Sequence, residues 1–408
     1  MSSDLQTVKL EKLAYGGDAL GRLSDGRAVF VPFALPEETV SIRLLEEKPG
    51  HVRAELVEVL EPSPDRVLPR CLHFGVCGGC HYQHLLYPAQ LIAKTDILND
   101  QVMRIGKISN PSIMPAFACS PEWNYRNHVQ FHLTRAGRLG YVNALSRGVL
   151  PITECHLPEP PLDSLWPRLE FAPGLGLERV SLRLGTDGQV MLVLESLDVP
   201  ELELEADLSV VHLAGDDVIV LAGDEFLSMK VNDHPFHVSA ASFFQVNTSM
   251  AEKMVAHLIS QLPVTPSSML LDVYCGVGLF SAFFAPRVGR LIGVESSPSA
   301  CADFEINLDE FDNVELFEAP AEVVLPALDI KPDFAILDPP RAGLEKRALD
   351  ALLVLGPRRI AYVSCDPSTL ARDAARLLAG GFRLVQVTPF DLFPQTFHIE
   401  SISIFDKI

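Results

Sequence analysis

The C-terminal part of this chain is predicted to be an α/β domain with a largely parallel sheet. A small N-terminal β-barrel and a β-rich central segment precede it. Three observations carry the prediction. From about Ala240 onward, short apolar runs alternate with helical patterns: "MLLDV", "RLIGVE", "VELFE", "DFAILD", "RIAYVS" and "IESISIF". That rhythm argues for βαβ units with helices on both faces of the sheet. One of these runs, "LLDVYCGVGLFS" (270–281), leads through a glycine turn into a helix. The segment 1–60, finally, holds short strands separated by turn residues.

Each element follows from local pattern. "RAVFVP" (27–32), "ETVSIRLL" (38–45) and "VRAELVEVL" (52–60) have strand composition, and Val40, Ile42 and Leu44 alternate with polar residues. Turn signals fall between them, Ser24-Asp25-Gly26, Leu35-Pro36 and Lys48-Pro49-Gly50. Short strands at that spacing suggest a small barrel, and such barrels often bind nucleic acid. "EPSPDR" (61–66) reads as a linker. A cysteine-bearing segment comes next, then a helical pattern over 85–105, expected to pack on the catalytic domain. Residues 123–231 read as strands and loops, with the Pro-rich stretch 157–173 as one long loop. The expected division is 1–60 barrel, 61–239 central domain and 240–408 catalytic domain.

Bulk properties bound the function. A chain of 408 residues, 48% hydrophobic and 21% charged, has room for two or three cores. No apolar run of membrane-spanning length occurs, so no membrane partner is expected. Met1-Ser2-Ser3-Asp4-Leu5-Gln6 has neither the basic start nor the apolar stretch of a signal peptide, so the expected compartment is the cytoplasm. A monomer is expected. The net charge of −20 argues mildly against nucleic acid, but phosphates respond to local patches rather than to the sum. Eight cysteines in a cytosolic chain point to metal binding or catalysis rather than disulfides.

Gly276 and Gly278 let backbone approach a ligand lying at a helix N-terminus. Glu295, at the next strand end, suits a pair of ribose hydroxyls. A nicotinamide dinucleotide calls for a third glycine where Ser281 stands. The pattern instead resembles the S-adenosylmethionine site of class I methyltransferases. "DPPR" (338–341) ends the fourth strand. Enzymes that methylate exocyclic amines resemble it but carry an aromatic where Arg341 stands, and RNA cytosine-5-methyltransferases carry a Pro-Cys there. This motif holds no cysteine, and its nearby thiol is Cys365, at the tip of "RIAYVS" and ahead of a helix that Ser368 or Thr369 is expected to begin.

A thiol there has a use. Carbon 5 of uracil is a poor nucleophile until a thiolate adds to carbon 6 and makes the ring an enolate. Such a thiol needs exposure and a lowered pKa, which a helix N-terminus helps supply. The hydrogen left on carbon 5 must then be removed by a base, for which Glu400 is the candidate, with His398 close by.

"SFFQVN" (242–247), "DVYCGVG", "DPPRAGL", "SCDPSTLARD" and "LFPQTFHIES" lie in that order along the C-terminal half. Together they resemble the RNA uracil-5-methyltransferase family. The resemblance implies Cys365 as nucleophile and Glu400 as base. It places Gln245, Tyr274, Glu295 and Asp338 on cofactor positions, and leaves the adenine contact near 319–321 unassigned. Leu279 stands where relatives often carry a polar residue.

Cys71, Cys77 and Cys80 have the spacing C-x5-C-x2-C, and Cys155 is remote. Four thiolates suit either zinc or an iron–sulfur cluster. The pattern resembles the [4Fe–4S] site of the family's ribosomal-RNA members, which implies a cluster. Cys119, Cys275 and Cys301 read as ordinary. "YGGDALGRL" (15–23) resembles part of a TRAM domain, an RNA-binding barrel. "WNYRNHVQFHLTRAGRLGY" (123–141) is locally basic, with Arg126, Arg135 and Arg138 between aromatics, and suits an unpaired RNA loop. Phe243 or Phe244 is placed to stack on a flipped uracil. The expected substrate is 23S ribosomal RNA, with transfer RNA as the alternative. An RNA-binding assembly protein without catalysis and an amine methyltransferase are the other classes to exclude.

Overall fold

Alternating burial closes the first segment into a barrel. In the computed structural model, which describes residues 5–144, 146, 148–200, 208–215 and 217–408, its strands are β1 (Gln6–Leu13), β2 (Ala19–Arg22), β3 (Ala28–Val31), β4 (Thr39–Glu47) and β5 (His51–Glu61). They run in the order β1-β2-β3-β5-β4, and β4 returns to pair with β1. Val8, Leu10, Val29, Val31, Val40, Ile42 and Val52 fill the interior. Composition alone marks only the last three strands. β1 carries Lys9, Glu11 and Lys12 outward and shifts register between Leu10 and Lys12, which breaks its alternation. Residues 1–4, part of the stretch that shows no leader pattern, lie outside the described residues. Arg66 of the linker and the backbone N–H groups of Leu35 and Ser63 bond the fully buried Glu38, fixing the barrel to the central segment.

Helix α1 (Tyr87–Arg104) comes next and packs on the catalytic domain. The central sheet contains β6 (His128–Leu133), β7 (Leu139–Val142), β8 (Val149–Pro151), β9 (Arg179–Leu184), β10 (Val190–Glu195), β11 (Ser209–Ala214) and β12 (Asp217–Ala222), in the order β12-β11-β10-β9-β6-β7-β8. β13 (Phe226–Val231) and β14 (His234–Ser239) form a separate hairpin. The stretch 157–173 is not a single loop. Pro160 and Pro161 open a short helix, α2 (Pro160–Leu165), continued by a 3-10 turn, and Leu162 and Trp166, one helical turn apart, are both buried. Proline at the first turn lacks only an N–H that would be unpaired anyway.

The last domain keeps the predicted rhythm. Its elements are α3 (Thr248–Gln261), β15 (Met269–Val273), α4 (Leu279–Phe284), β16 (Arg290–Glu295), α5 (Pro298–Asn307), β17 (Val314–Glu318), α6 (Ala321–Val324), β18 (Phe334–Leu337), α7 (Lys346–Leu355), β19 (Arg359–Ser364), α8 (Pro367–Ala379), β20 (Phe382–Phe390) and β21 (Glu400–Lys407). The sheet order is β17-β16-β15-β18-β19-β21-β20. The first five of these are parallel, and β21 slots antiparallel between β19 and β20. β15, β18 and β19 are almost wholly apolar because both of their faces are covered. One apolar cluster runs unbroken from the barrel through Ile97, Leu98 and Val102 of α1 to Leu370 and Leu377 of α8. Among the described residues no helix is long and apolar enough to cross a membrane.

Candidate active site

The C-terminal ends of the parallel strands surround a cleft of about 1170 Å³. The wall at β15 and β16 is built from backbone. Tyr274, directly after β15, takes a left-handed conformation at φ 65° and donates its N–H to Val294. Such a backbone is uncommon outside glycine and collects at functional turns. Gly276 is at φ 55°, and a Cβ there would meet nothing within 4 Å, so its face to the cleft is open. Gly278 works differently: a Cβ would lie 2.4 Å from Leu308, so this glycine serves close packing behind the wall.

Glu295 lines the cleft at the end of β16, held by the N–H groups of Gly276 (2.9 Å), Ser296 (2.7 Å) and Ser297 (2.8 Å). A carboxylate has about four acceptor sites, so one is left for a hydroxyl. The side chain of Asp338, at the end of β18, makes no hydrogen bond among the described residues. Burial, with the charges of Asp272 and Glu295, pushes its pKa up to about 7. Gln245 and Leu279 also line the cleft, as do Pro320 and Ala321, in the neighbourhood expected to contact an adenine. An open backbone cradle, a fixed carboxylate and a half-buried carboxylate with no hydrogen-bond partner among the described residues suit a cationic nucleoside such as S-adenosylmethionine.

Cys365 and Glu400 face this same cleft. Their strands are hydrogen-bonded neighbours, with Ser364 opposite Ser401. Asp366, not Ser368 or Thr369, caps α8: its carboxylate accepts from the N–H groups of Ser368 (2.8 Å) and Thr369 (3.0 Å), with Pro367 in the first turn. Asp-Pro ahead of an apolar periodicity is the signal in the sequence. The expectation of a lowered thiol pKa does not hold. Burial first, then Glu400 and Asp338, push Cys365 up to about 12, against the pull of Arg341. Burial and Asp338 hold Glu400 well above the carboxylate range, again opposed by Arg341. For both groups these surroundings disfavour the charged form. In the sequence Arg341 is only a departure from the amine-methylating pattern, yet it is the cation facing both of them.

Supports from the central domain position the segment before α3. Arg183 donates to the carbonyls of Ser239, Ala240 and Ser242 at 2.8–3.0 Å. Asn127 donates to the Gln245 carbonyl and to Thr248, each at 3.0 Å. Phe243 is 70% exposed at the cleft, whereas Phe244, which also lines it, is buried against Phe236, so Phe243 is the more open of the two rings. On the far side, Lys94 of α1 and Asp391 form a fully buried ion pair at 2.6 Å, and Gln90 exchanges hydrogen bonds with Gln395. These clamp the loop that leads to Glu400. Neither pair carries a sequence signal, because its members lie some three hundred residues apart.

Arg126 does not line the cleft. It lies over the Tyr125 and Phe393 rings, at 5.9 and 5.7 Å, and its Nε is buried without a partner. It lines instead a cavity of about 50 Å³ that it shares with Cys71, Cys77, Cys80 and Cys155. Backbone bonds from Gly78 to Val142 and from Ala144 to Val76, with a Thr153–His73 contact at 2.9 Å, sew the segment 71–80 to the hairpin that delivers Cys155. All four cysteines are free. Yet among the described residues no group of three or more His, Cys, Asp or Glu side chains could hold a metal ion. Burial pushes the Cys71 thiol up to about 11 and the Cys80 thiol up to about 12.

Residues 203–408 match the family model described as tRNA (Uracil-5-)-methyltransferase, and residues 4–57 match the TRAM domain. An uncharacterized RNA methyltransferase of Streptomyces coelicolor is 34% identical, over 98% of this chain and 92% of its own. One from Halalkalibacterium halodurans is 32% identical, over 99% and 97%. Among solved structures, the Pyrococcus abyssi tRNA (uracil-54, C5)-methyltransferase in complex with S-adenosyl-L-homocysteine superimposes with a TM-score of 0.74 at 24% identity. That match covers 98% of this chain and 99% of the other. It establishes the fold, a class I methyltransferase domain behind a small barrel.

Proposed function

Because the chain belongs to the tRNA/RNA uracil-5-methyltransferase family, we propose that it methylates carbon 5 of a uridine in 23S ribosomal RNA, using Cys365 and Glu400. The observation that carries the reading is the meeting of these two residues, on adjacent strands, in one cleft with Glu295 and Asp338. S-adenosylmethionine supplies, when bound, an electrophilic methyl group on a positively charged sulfur. Gln245, Tyr274, Gly276, Glu295 and Asp338 are its proposed contacts, with Gly278 shaping the turn. Added positive charge, like Arg341, favours the ionised forms of Cys365 and Glu400.

The Cys365 thiolate bonds uracil carbon 6, and the ring electrons shift so that carbon 5 takes the methyl group. Glu400 then removes the carbon 5 proton, the carbon–sulfur bond breaks, and the thiolate is restored. Phe243 stacks on the extruded base. In this scheme 1–60 grips RNA, 61–239 supports the site and 240–408 does the chemistry, in a cytoplasmic monomer.

The barrel together with the cysteine quartet supports ribosomal RNA. The names of the family model and of the Pyrococcus enzyme favour transfer RNA as the second reading. Cys71, Cys77, Cys80 and Cys155 are proposed to hold a [4Fe–4S] cluster. Four free cysteines lining one cavity are the support, their present placement forming no metal-holding group among the described residues, and iron, sulfide and zinc analysis of protein purified without oxygen decides between cluster, zinc and no metal.

The function test incubates the protein and S-adenosylmethionine with 5-fluorouridine-substituted 23S fragments and, separately, with substituted transfer RNA. Fluorine at carbon 5 cannot leave as a proton, so the reaction stalls as a methylated adduct on Cys365. An adduct with ribosomal RNA is expected. An adduct with transfer RNA alone moves the substrate, and methylation of ordinary RNA without any adduct overturns the thiol mechanism.

A further inference from the structure

Resting on that reaction, we propose that Tyr15 of the barrel is a positioning residue for the nucleophile, joining RNA-binding barrel and catalytic turn into one unit. Tyr15 lies in the connection from β1 to β2. Gly16 and Gly17 succeed it at φ 108° and 99°, and a Cβ on Gly17 would press on His81 at 3.2 Å. The turn is thereby set so that the Tyr15 hydroxyl donates to Asp366 Oδ2 at 2.9 Å, across 351 residues of sequence. Asp366 is the residue immediately after Cys365.

Its carboxylate is divided between two tasks. Oδ1 caps α8 through the N–H groups of Ser368 and Thr369. Oδ2 takes the barrel's hydroxyl. The Tyr15 ring also meets Phe397 edge-on at 5.8 Å, and Phe397 packs on His398, two residues before Glu400. One barrel side chain thus touches both the turn that carries the nucleophile and the segment that leads to the base. Other contacts in this region, Lys12 with Asp100 and Gln101 with Ser368, leave Asp366 alone.

The contact acts through geometry. The phenol donor holds the Asp366 carboxylate turned toward the helix cap, and with it the turn that carries Cys365. Burial and Asp366 keep the Tyr15 hydroxyl protonated, so it remains a donor.

The test uses purified full-length wild type, Tyr15→Phe, Asp366→Asn and the double variant, with thermal melts to confirm folding. Iodoacetamide labelling of Cys365 is followed across pH by peptide mass spectrometry, which needs no RNA. Methylation is then measured at saturating RNA and methyl donor. Tyr15→Phe is expected to change the rate of Cys365 labelling at each pH tested and to slow methylation about ten-fold, with half-saturating RNA unchanged. In the Asp366→Asn background the same change should add nothing.

A wild-type labelling profile in Tyr15→Phe overturns the proposal. So does a loss confined to half-saturating RNA, which makes Tyr15 an RNA contact. Should the wild type methylate no uridine, the assigned reaction falls, while a changed labelling rate still supports the coupling.

Discussion

The surroundings of Cys365 and Glu400 disfavour the charged form of each, and each residue has a distinct signature when removed. Cys365→Ala is expected to lower methylation by roughly a thousand-fold or more and to form no adduct with fluorinated RNA, with donor binding intact. If it methylated at the wild-type rate, the family's chemistry would have lapsed to another residue. Glu400→Gln should stall one step later, so a methylated adduct should accumulate even on ordinary RNA, visible as a denaturant-stable protein–RNA band. Asp338 makes a pH prediction. Its pKa is raised from 3.8 to about 7, so the folded state keeps a proton that the unfolded chain releases. The stability this gives is complete below the unfolded value and is lost as pH rises through the folded one. Half-buried His81 and buried His84, lowered to about 4, act in the opposite sense below neutrality, so a comparison is needed. Asp338→Asn should gain melting temperature relative to wild type as pH climbs from about 4 to about 7. A constant difference over that range would place the proton elsewhere.

The turn from β15 to α4 separates two jobs that the sequence merges. Gly276→Ala has room but a left-handed backbone, so it should cost about 1–2 kcal/mol and mainly weaken donor binding. Gly278→Ala forces its methyl into Leu308 and Phe304 and should lower the melting temperature by several degrees more, with calorimetry as the check. Equal effects of the two would refute the division. The parallel strands are legible because apolar runs covered on both faces need no alternation, and Asp338 and Cys365 are legible because both stand where such runs end. β1 is not, since three charged residues interrupt its pattern, and neither is α2, since two prolines look like a loop until Leu162 and Trp166 are seen to share a face. The choice between Phe243 and Phe244 requires burial, which adjacent identical residues do not encode.

Across the whole molecule, the site is assembled from parts that never meet in sequence. α1 clamps the loop before Glu400, Arg183 and Asn127 hold the segment bearing Phe243, and the barrel reaches Asp366. The raised thiol pKa is unreadable from sequence for this reason: the burial of Cys365, and after it the approach of Glu400 and Asp338, come only through the tertiary fold. The cysteine quartet likewise closes residue 155 onto 71–80. Cys155→Ser is expected to remove iron and visible absorbance, and to lower the melting temperature while iodoacetamide labelling of Cys365 stays at the wild-type rate. Retained iron in that variant would remove Cys155 from the ligand set.

The proposed nucleophile, Cys365, stands where burial, Glu400 and Asp338 oppose its ionisation, and peroxide and cellular electrophiles attack the thiolate. Idle enzyme should therefore outlast oxidative stress that inactivates proteins with constitutively ionised cysteines, and a covalent inhibitor would have to bring its own positive charge to awaken its target.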